Sequence, residues 1–301
     1  MLDRLTLDQL RMLNAVAESG SFSAAGRKLR RAQSAISQAI QALQTTLGVA
    51  LFDRSEKVPA LTDAGRVILA DARQLLRDAE ALRGRAASIA DAVEPELMLA
   101  VETMFPVPLL MKSLKALAGE FPHLAVTLFT ESLGGAEQRL IEDSARLGLF
   151  APRPGVDGGL VSSFLTNFTM VPVAAADHPL AKAKAPIGRE VLERHVQLVL
   201  TDRTQLTAGF SGGVIGRRTF RFADIATRLD FLLAGFGWCN MPLHMVEAHL
   251  KAKRLKHLKL AERASWEFPI HVMHRRDRPP RRAGRWLIDD LRARLTSSPG
   301  S

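Results

Sequence analysis

Between Arg66 and Asp91 the chain runs for 26 residues without a proline, and its one interior glycine is Gly84. Across this stretch Ile68, Ala72, Leu75, Ala79, Leu82, Ala86, Ile89 and Val93 recur with alternating steps of four and three. That rhythm is a heptad seam, and it dictates one long helix. A seam of two positions in seven is narrower than the apolar face of an ordinary core helix. Burial against a second copy satisfies it best, so Ile68, Ala72, Leu75, Ala79, Leu82, Ala86 and Ile89 are the expected dimerisation residues. One amphipathic helix lying on its own domain would show the same residues. The long helix also divides the chain into a short segment before it and a long one after Glu94-Pro95, where proline breaks helical geometry.

The first 65 residues read as short helices with tight joints. Leu7, Leu10, Leu13 and Ala17 share a helical face; Gly20 ends that helix and Ser21 caps a second one reaching Leu29. A third helix spans Gln33 to Leu47, with Ile36, Ile40, Leu43 and Leu47 inward and Gly48 as its stop. Leu51–Arg54 and Pro59–Thr62 flank a polar stretch and read as a two-stranded wing. Ala24-Ala25 offers a close helix crossing and Arg30-Arg31-Ala32 a short joint, as a helix-turn-helix requires. The third helix then leaves Gln33, Ser34, Ser37, Gln38 and Gln41 outside. Glutamine can bond adenine edges through both amide atoms, serine suits either base, and the Ala35 methyl can meet a thymine methyl. Arg30, Arg31 and Arg54 are placed for phosphates, and Lys57 for the backbone or minor groove. An ordinary helical hairpin with a solvated polar side fits the same pattern.

After Pro95, strands and helices alternate, predicting an α/β domain split into two lobes. Strands are expected at 97–101, 125–129, 145–150, 169–174, 196–200, 238–241 and 270–274. Helices are expected at 106–118, 134–142, 188–194, 224–233, 243–251 and 285–295. A formal net charge of +10 favours a polyanionic partner, nucleic acid ahead of an anionic membrane. The single cysteine, Cys239, excludes a disulfide framework and a four-cysteine zinc site, and suits a reducing compartment. The first residues show no charged n-region followed by an apolar run, and no stretch of about eighteen apolar residues occurs, so neither a signal peptide nor a membrane span is expected.

The stretch from Leu7 to Gly65 resembles the N-terminus of LysR-type transcription regulators. The matching residues are Leu10, Phe22, Ala25, Leu29, Gln33-Ser34-Ala35-Ile36-Ser37, Ile40, Leu43, Leu47-Gly48, Leu51-Phe52-Asp53-Arg54 and Leu61-Thr62-Asp63-Ala64-Gly65. Gln44 departs from a glutamate common in the family, and Gln38 from a frequent arginine. Further on, Asp177-His178-Pro179-Leu180-Ala181, and Leu233–Gly237 followed by Met241-Pro242, resemble family segments. The resemblance implies an all-α winged helix-turn-helix at 1–65 and a dimerising linker helix at 66–93. It further implies a two-lobed, periplasmic-binding-protein-like α/β effector domain at 94–301. Lobe 1 would take about 95–165 and 267–301, and lobe 2 about 166–266. The implied partners are double-stranded operator DNA, a small-molecule effector, a second copy as homodimer or homotetramer, and RNA polymerase. The implied location is the cytoplasm, with no membrane and no catalysis.

Ligands in such folds sit beyond strand C-termini, near helix N-termini. Glu102, Thr103 and Met104 follow the first strand of the domain, and Thr201 and Asp202 follow a strand in the second lobe. By resemblance the two loops face one another, with Phe150 closing a wall. Two carboxylates make the cleft acidic, which points to a polar or cationic effector; alternatively they cap helices or face solvent. Cys239, among apolar neighbours, reads as buried and inert. His244 with His249, and His271 with His274, are off dependable metal spacing, so no metal and no cofactor is expected. Arg275, Arg276, Arg278, Arg281, Arg282 and Arg285 form a basic run that fits DNA backbone, another subunit or water. An enzyme lacks its motif here: no phosphate-binding glycine loop, nucleophile elbow or paired zinc signature stands out. A solute-binding protein leaves the N-terminal helices unexplained, and a general chromatin-like binder would bind any duplex with steep salt dependence.

Overall fold

The computed structural model describes residues 5–53, 59–90, 92–153, 159–184, 186–201, 203, 204, 206, 213–262 and 265–297, with the backbone alone for Arg85, Ala87, Ser88 and Ile89. Arg54, Lys57, Asp202 and the side chain of Ile89 lie outside the described residues. The chain divides into two compact units, Met1–Ala87 and Ser88–Ser301.

In the first unit each helix boundary has a local cause. α1 (Leu7–Ser19) starts with a reciprocal capping box between Thr6 and Gln9 and ends at Gly20, whose φ of 63° suits a residue without a Cβ. α2 (Phe22–Leu29) starts where the Ser21 hydroxyl accepts from the Ala24 N–H, and ends at Arg30, held left-handed at φ 54°. α3 (Gln33–Leu47) ends at Gly48, φ 72°. β1 (Phe52–Asp53) and β2 (Ala60–Leu61) pair antiparallel as the wing, with Phe52 opposite Leu61. α4 (Asp63–Ala90) follows. Leu10, Leu13, Val16, Ala25, Ile36, Ile40, Leu43 and Leu51 form the core of this unit.

The crossing of α2 and α3 uses Ala25 and Gly26, while Ala24 stays half-buried. A Cβ on Gly26 would stand 2.7 Å from the Arg31 carbonyl oxygen, so the joint needs glycine there. Gln44, the departure from glutamate, has its own task. Its Oε1 accepts from the Leu51 N–H at 2.7 Å and the Phe52 N–H at 3.3 Å, fastening the wing to α3. An uncharged amide oxygen satisfies the same donors a carboxylate would. Gln44→Ala leaves both N–H groups to find other partners and is expected to cost about 1–2 kcal/mol. Gln44→Glu is expected to retain stability; equal melting of the alanine and glutamate variants would contradict this.

The heptad stripe divides along α4. Ala72 is buried and Ile68 half-buried against the first unit's core, beside Leu69 and Leu76, so these two positions are not a free dimer seam. The physical reason is that the first turns of α4 close the core over α1. Further on, Leu75 and Leu82 are 46% and 62% exposed, Ala86 is exposed and Ala79 half-buried.

The second unit is built on one mixed sheet. Its strands are β3 (Glu96–Glu102), β4 (Ala125–Glu131), β5 (Leu147–Phe150), β6 (Leu160–Ala175), β7 (Gln197–Leu200), β8 (Thr219–Phe222), β9 (Trp238–Pro242), β10 (Leu255–His257) and β11 (Trp266–Arg275). Their order is β4-β3-β5-β11-β6-β9-β7-β8, with β10 also on β6. β3 runs parallel to β4 and β5, and β7 parallel to β8 and β9, while β6 and β11 lie antiparallel between these two parallel groups. The helices are α5 (Val107–Glu120), α6 (Gly134–Ile141), α7 (Arg189–Leu192), α8 (Ile225–Leu233), α9 (Leu243–Lys251) and α10 (Arg282–Thr296). Separate cores serve the two halves: Leu97, Leu99, Leu117, Leu147, Ile270 and Leu287 on one side, and Val173, Leu198, Leu232, Met241 and Val246 on the other. β6 begins nine residues before the expected strand, because Ser162, Ser163, Thr166 and Asn167 conceal its first half. β8 (TFRF) and β10 (LKH) lack the apolar run that marks the equally short β5 and β7. Glu94, 8% exposed, accepts from the Ala283 and Gly284 N–H groups at 2.9 and 3.0 Å, supplying the cap that Arg281 cannot give α10.

Candidate nucleic-acid interface and effector loops

Ile36, Ile40 and Leu43 are buried, which fixes the rotation of α3. Gln33, Ser34, Ser37, Gln38 and Gln41 are therefore exposed along one side, with Ala35 half-buried. At 1.5 Å per residue, Gln33 to Gln41 is a strip about 12 Å long, comparable with the width of a B-DNA major groove. Ala42 and Thr45 are exposed on the same helix, and an open groove of about 560 Å³ joins Gln9, Gln38, Gln41, Ala42, Thr45 and Thr46. Ala42, Thr45 and Thr46 went unnoticed in sequence, although they lie one turn beyond Gln38 and Gln41. Arg30 and Arg31 are exposed at the joint, and Arg31 is only loosely engaged, 3.5 Å from Asp8. Ala32 gives the first turn of α3 no side-chain cap, so a phosphate oxygen would find uncapped donors there.

In the second unit Glu102 ends β3 and is 2% exposed. Its Oε2 accepts from the Leu133 N–H at 3.0 Å, and its Oε1 from the Thr103 hydroxyl at 3.1 Å. Leu133 is the residue before α6 and stands at φ 50°, ψ −117°, an unusual setting for leucine. Of the two alternatives for this carboxylate, the capping one describes its contacts: it holds the turn into α6. The donors favour a charged carboxylate, yet burial outweighs them and pushes the group up to about 8. Thr103 Oγ1 also lies 3.2 Å from Ser132 Oγ, and that hydroxyl donates to the Ala223 carbonyl, the residue before the N-cap of α8, at 3.3 Å.

The remaining expected effector residues are placed differently. Met104 is buried in the core with Met170, Val173 and Met241. Phe150 is 1% exposed, packed with Ala136, Leu140 and Met273, so it faces a core and offers no wall to a cleft. Thr201 is half-buried, and its N–H donates to the Phe222 carbonyl at 2.8 Å. A stronger cross-tie was missed in sequence. Arg153 grips the buried Glu137 carboxylate at 2.5 and 2.9 Å, and donates to the Leu206 carbonyl at 2.7 Å. Separations of 16 and 53 residues carry no periodic signal. Cys239 is buried and its thiol is pushed up by desolvation, which disfavours thiolate chemistry. Burial lowers His244, whose ring packs edge-on against Phe168. Among the described residues no helix is long and apolar enough to cross a membrane.

Comparison with known proteins agrees with this arrangement. Residues 7–66 match the family described as bacterial regulatory helix-turn-helix protein, lysR family, and residues 90–296 match the LysR substrate binding domain. The probable HTH-type transcriptional regulator YhaJ of Escherichia coli is 30% identical over 276 residues, covering 91% of each chain. The HTH-type transcriptional regulator AceR of Acinetobacter baumannii is 27% identical, over 95% of this chain and 96% of its own. Among solved structures, a cysteine variant of OxyR from Corynebacterium glutamicum superposes with a TM-score of 0.60 at 22% identity, covering 97% of this chain and 93% of that one. CrgA from Neisseria meningitidis, a LysR-type regulator, gives 0.52 at 21% identity over 97% and 99%. With a family match at each end and a relative aligned over nine-tenths of its length, the chain belongs to the LysR family of helix-turn-helix transcription regulators.

Proposed function

We propose that this regulator reads a dyad-symmetric operator as a dimer, placing one α3 in the major groove of each half-site. Half-sites about one helical turn apart, or a multiple of it, follow from that geometry. The observation that carries the reading is the exposed strip Gln33, Ser34, Ser37, Gln38 and Gln41 on a helix whose other side is locked by Ile36, Ile40 and Leu43. Leu75, Leu82 and Ala86, left open on α4, are the surface for the second copy. Assembly of dimers into tetramers, contact with RNA polymerase, a cytoplasmic setting and action without catalysis rest on family membership.

The effector reading concerns a division at about 165/166 and 266/267, with a ligand between the lobes changing their closure. The Glu102, Thr103 and Ser132 cluster lies at this junction, tied to Ala223 and accompanied by the Arg153 bridge to Leu206. The Leu133 N–H and the Thr103 hydroxyl are already engaged by the internal Glu102 carboxyl, so the loop favours a polar effector over a carboxylate.

Selection of bound sites from random duplex at near-physiological salt tests the DNA reading. An enriched inverted repeat is the expected result; recovery of no motif would remove it. Ser34→Ala or Gln33→Ala is expected to relax preference by about 1–3 kcal/mol per lost base contact. Arg31→Ala is expected to weaken all sequences alike and flatten the salt dependence. Identical behaviour of the two classes of variant would contradict the assignment of base and phosphate contacts.

A further inference from the structure

The second unit, residues 88–301, holds 28 basic and 22 acidic residues, a net charge of +6; the eleven residues from Arg275 to Arg285 supply +5 of it. Only part of this charge is internally compensated. Arg275 is paired with Asp277 at 2.8 Å and Arg278 with Asp143 at 3.0 Å. Arg276, Arg281, Arg282 and Arg285 are exposed and have no carboxylate partner among the described residues. Arg285 donates to the Pro280 carbonyl, and Arg282 stands over the Phe121 ring.

Their position makes the arrangement costly. Arg281 is the N-cap of α10, and Arg282 and Arg285 lie in its first turn. A helix N-terminus carries partial positive charge and favours anions, so cations there oppose both the dipole and one another. The acidic residue at this end, Glu94, is buried, accepts from the Ala283 and Gly284 N–H groups, and forms no ion pair with these arginines among the described residues. The outer surface is therefore an uncompensated cationic face fixed on a folded helix end, with planar guanidinium groups suited to phosphate oxygens.

We infer that Arg276, Arg281, Arg282 and Arg285 form a second, sequence-independent DNA-backbone contact, carried by the regulatory unit. The partner is duplex phosphate, because the same chain's α3 reading brings a duplex to the protein and four exposed, unpaired guanidinium groups match phosphate oxygens in charge and geometry. The inference rests on that reading for the presence of DNA. It differs in its signature, which is charge without sequence.

The test uses the full chain and two duplexes: one limited to the selected operator, the other extended by random flanks. Wild-type protein is expected to bind the extended duplex more tightly and with a steeper dependence on salt. The combined variant Arg276→Gln, Arg281→Gln, Arg282→Gln, Arg285→Gln is expected to lose that difference. Its slope of log K against log salt on the extended duplex should be shallower by about 3.6 for each subunit in contact, at roughly 0.9 for each of four phosphates no longer neutralised. Its preference for operator over random sequence should be unchanged, and its melting temperature equal or higher, since repulsion at the helix end is relieved. The matching lysine variant retains charge and is expected to keep the slope, whatever the folding behaviour of the glutamine variant. Equal slopes for wild type and the glutamine variant, or loss of slope in the lysine variant, would overturn the inference. Failure of the α3 reading appears separately, as absence of any sequence preference in wild-type protein.

Discussion

Gly65→Ala is expected to abolish operator binding by unfolding the N-terminal unit. A Cβ on Gly65 would lie 2.1 Å from the Leu51 carbonyl oxygen, 2.9 Å from its carbon and 3.1 Å from Leu61 Cδ2. The nearest two atoms are backbone and cannot swing away. They are also anchored: the Thr62 N–H donates to Leu51 O at 3.0 Å, the Thr62 hydroxyl donates to Ala50 O at 2.7 Å, and the Gly65 N–H donates to that hydroxyl at 2.9 Å. Relief requires moving the whole wing base away from α4. The expected loss is on the order of 3 kcal/mol or more, a large part of the stability of a domain this small. Calorimetry should show the first unit melting well below its wild-type temperature while the second transition stays in place. An unchanged melt with normal DNA affinity would show that the contact between Gly65 and Leu51 is not made.

Glu102→Gln is expected to remove a pH dependence of the regulatory unit's stability. The carboxyl is raised by burial to about 8 in the folded chain, above the ordinary carboxylate value of 4.5. Below that ordinary value the group is protonated in both folded and unfolded chains, and its favourable contribution is fully present. As pH climbs from there to about 8, the unfolded chain releases the proton and the folded chain keeps it, so stability falls. Above about 8 both have released it and the full penalty remains. Between pH 6 and 8 the wild-type loss from this group is about 2–3 kcal/mol, at 1.36 kcal/mol per unit. Glutamine stays neutral: its oxygen can accept from Leu133, and its amide can donate to the Thr103 hydroxyl. The variant's second transition should hardly respond to pH in this window. A wild-type protein as stable at pH 9 as at pH 6 would contradict the burial of this carboxyl.

Much of the first unit was legible because its constraints are local. The α3 bounds, Gln33 to Leu47, follow from apolar steps of four, three and four and a terminal glycine. Ser21 and Gly20 act as read. Gly65 was visible only as part of a family motif, since its close approach to Leu51 is a meeting of distant backbone segments. Ala72 was assigned to the dimer seam because periodicity tells that a helix has a stripe but not which body covers it. In the second unit the apolar centres of most strands were found. β8, β10 and the first half of β6 were not, for they are polar-studded and are specified by neighbouring strands. Glu102 was singled out for a ligand, and its partner Leu133 lies 31 residues away. Arg153, Glu137 and Leu206 were missed for the same reason: only the folded sheet brings them together.

The central position of β11 has a consequence for how the protein is born. The DNA-binding unit, with its own core, lies in the first 87 residues, less than a third of the chain, and is complete once residue 87 has left the ribosome. The regulatory sheet cannot close then, because β11 enters between β5 and β6 only after residue 275, and the Glu94 carboxylate waits longer still for the first turn of α10. Through most of translation the nascent chain therefore carries a finished operator reader and an unfinished sheet with two open edges, a state prone to wrong pairing. A message truncated late would release a reader with no working control, so a stop codon close to the end of the gene is expected to be more harmful than loss of the gene itself.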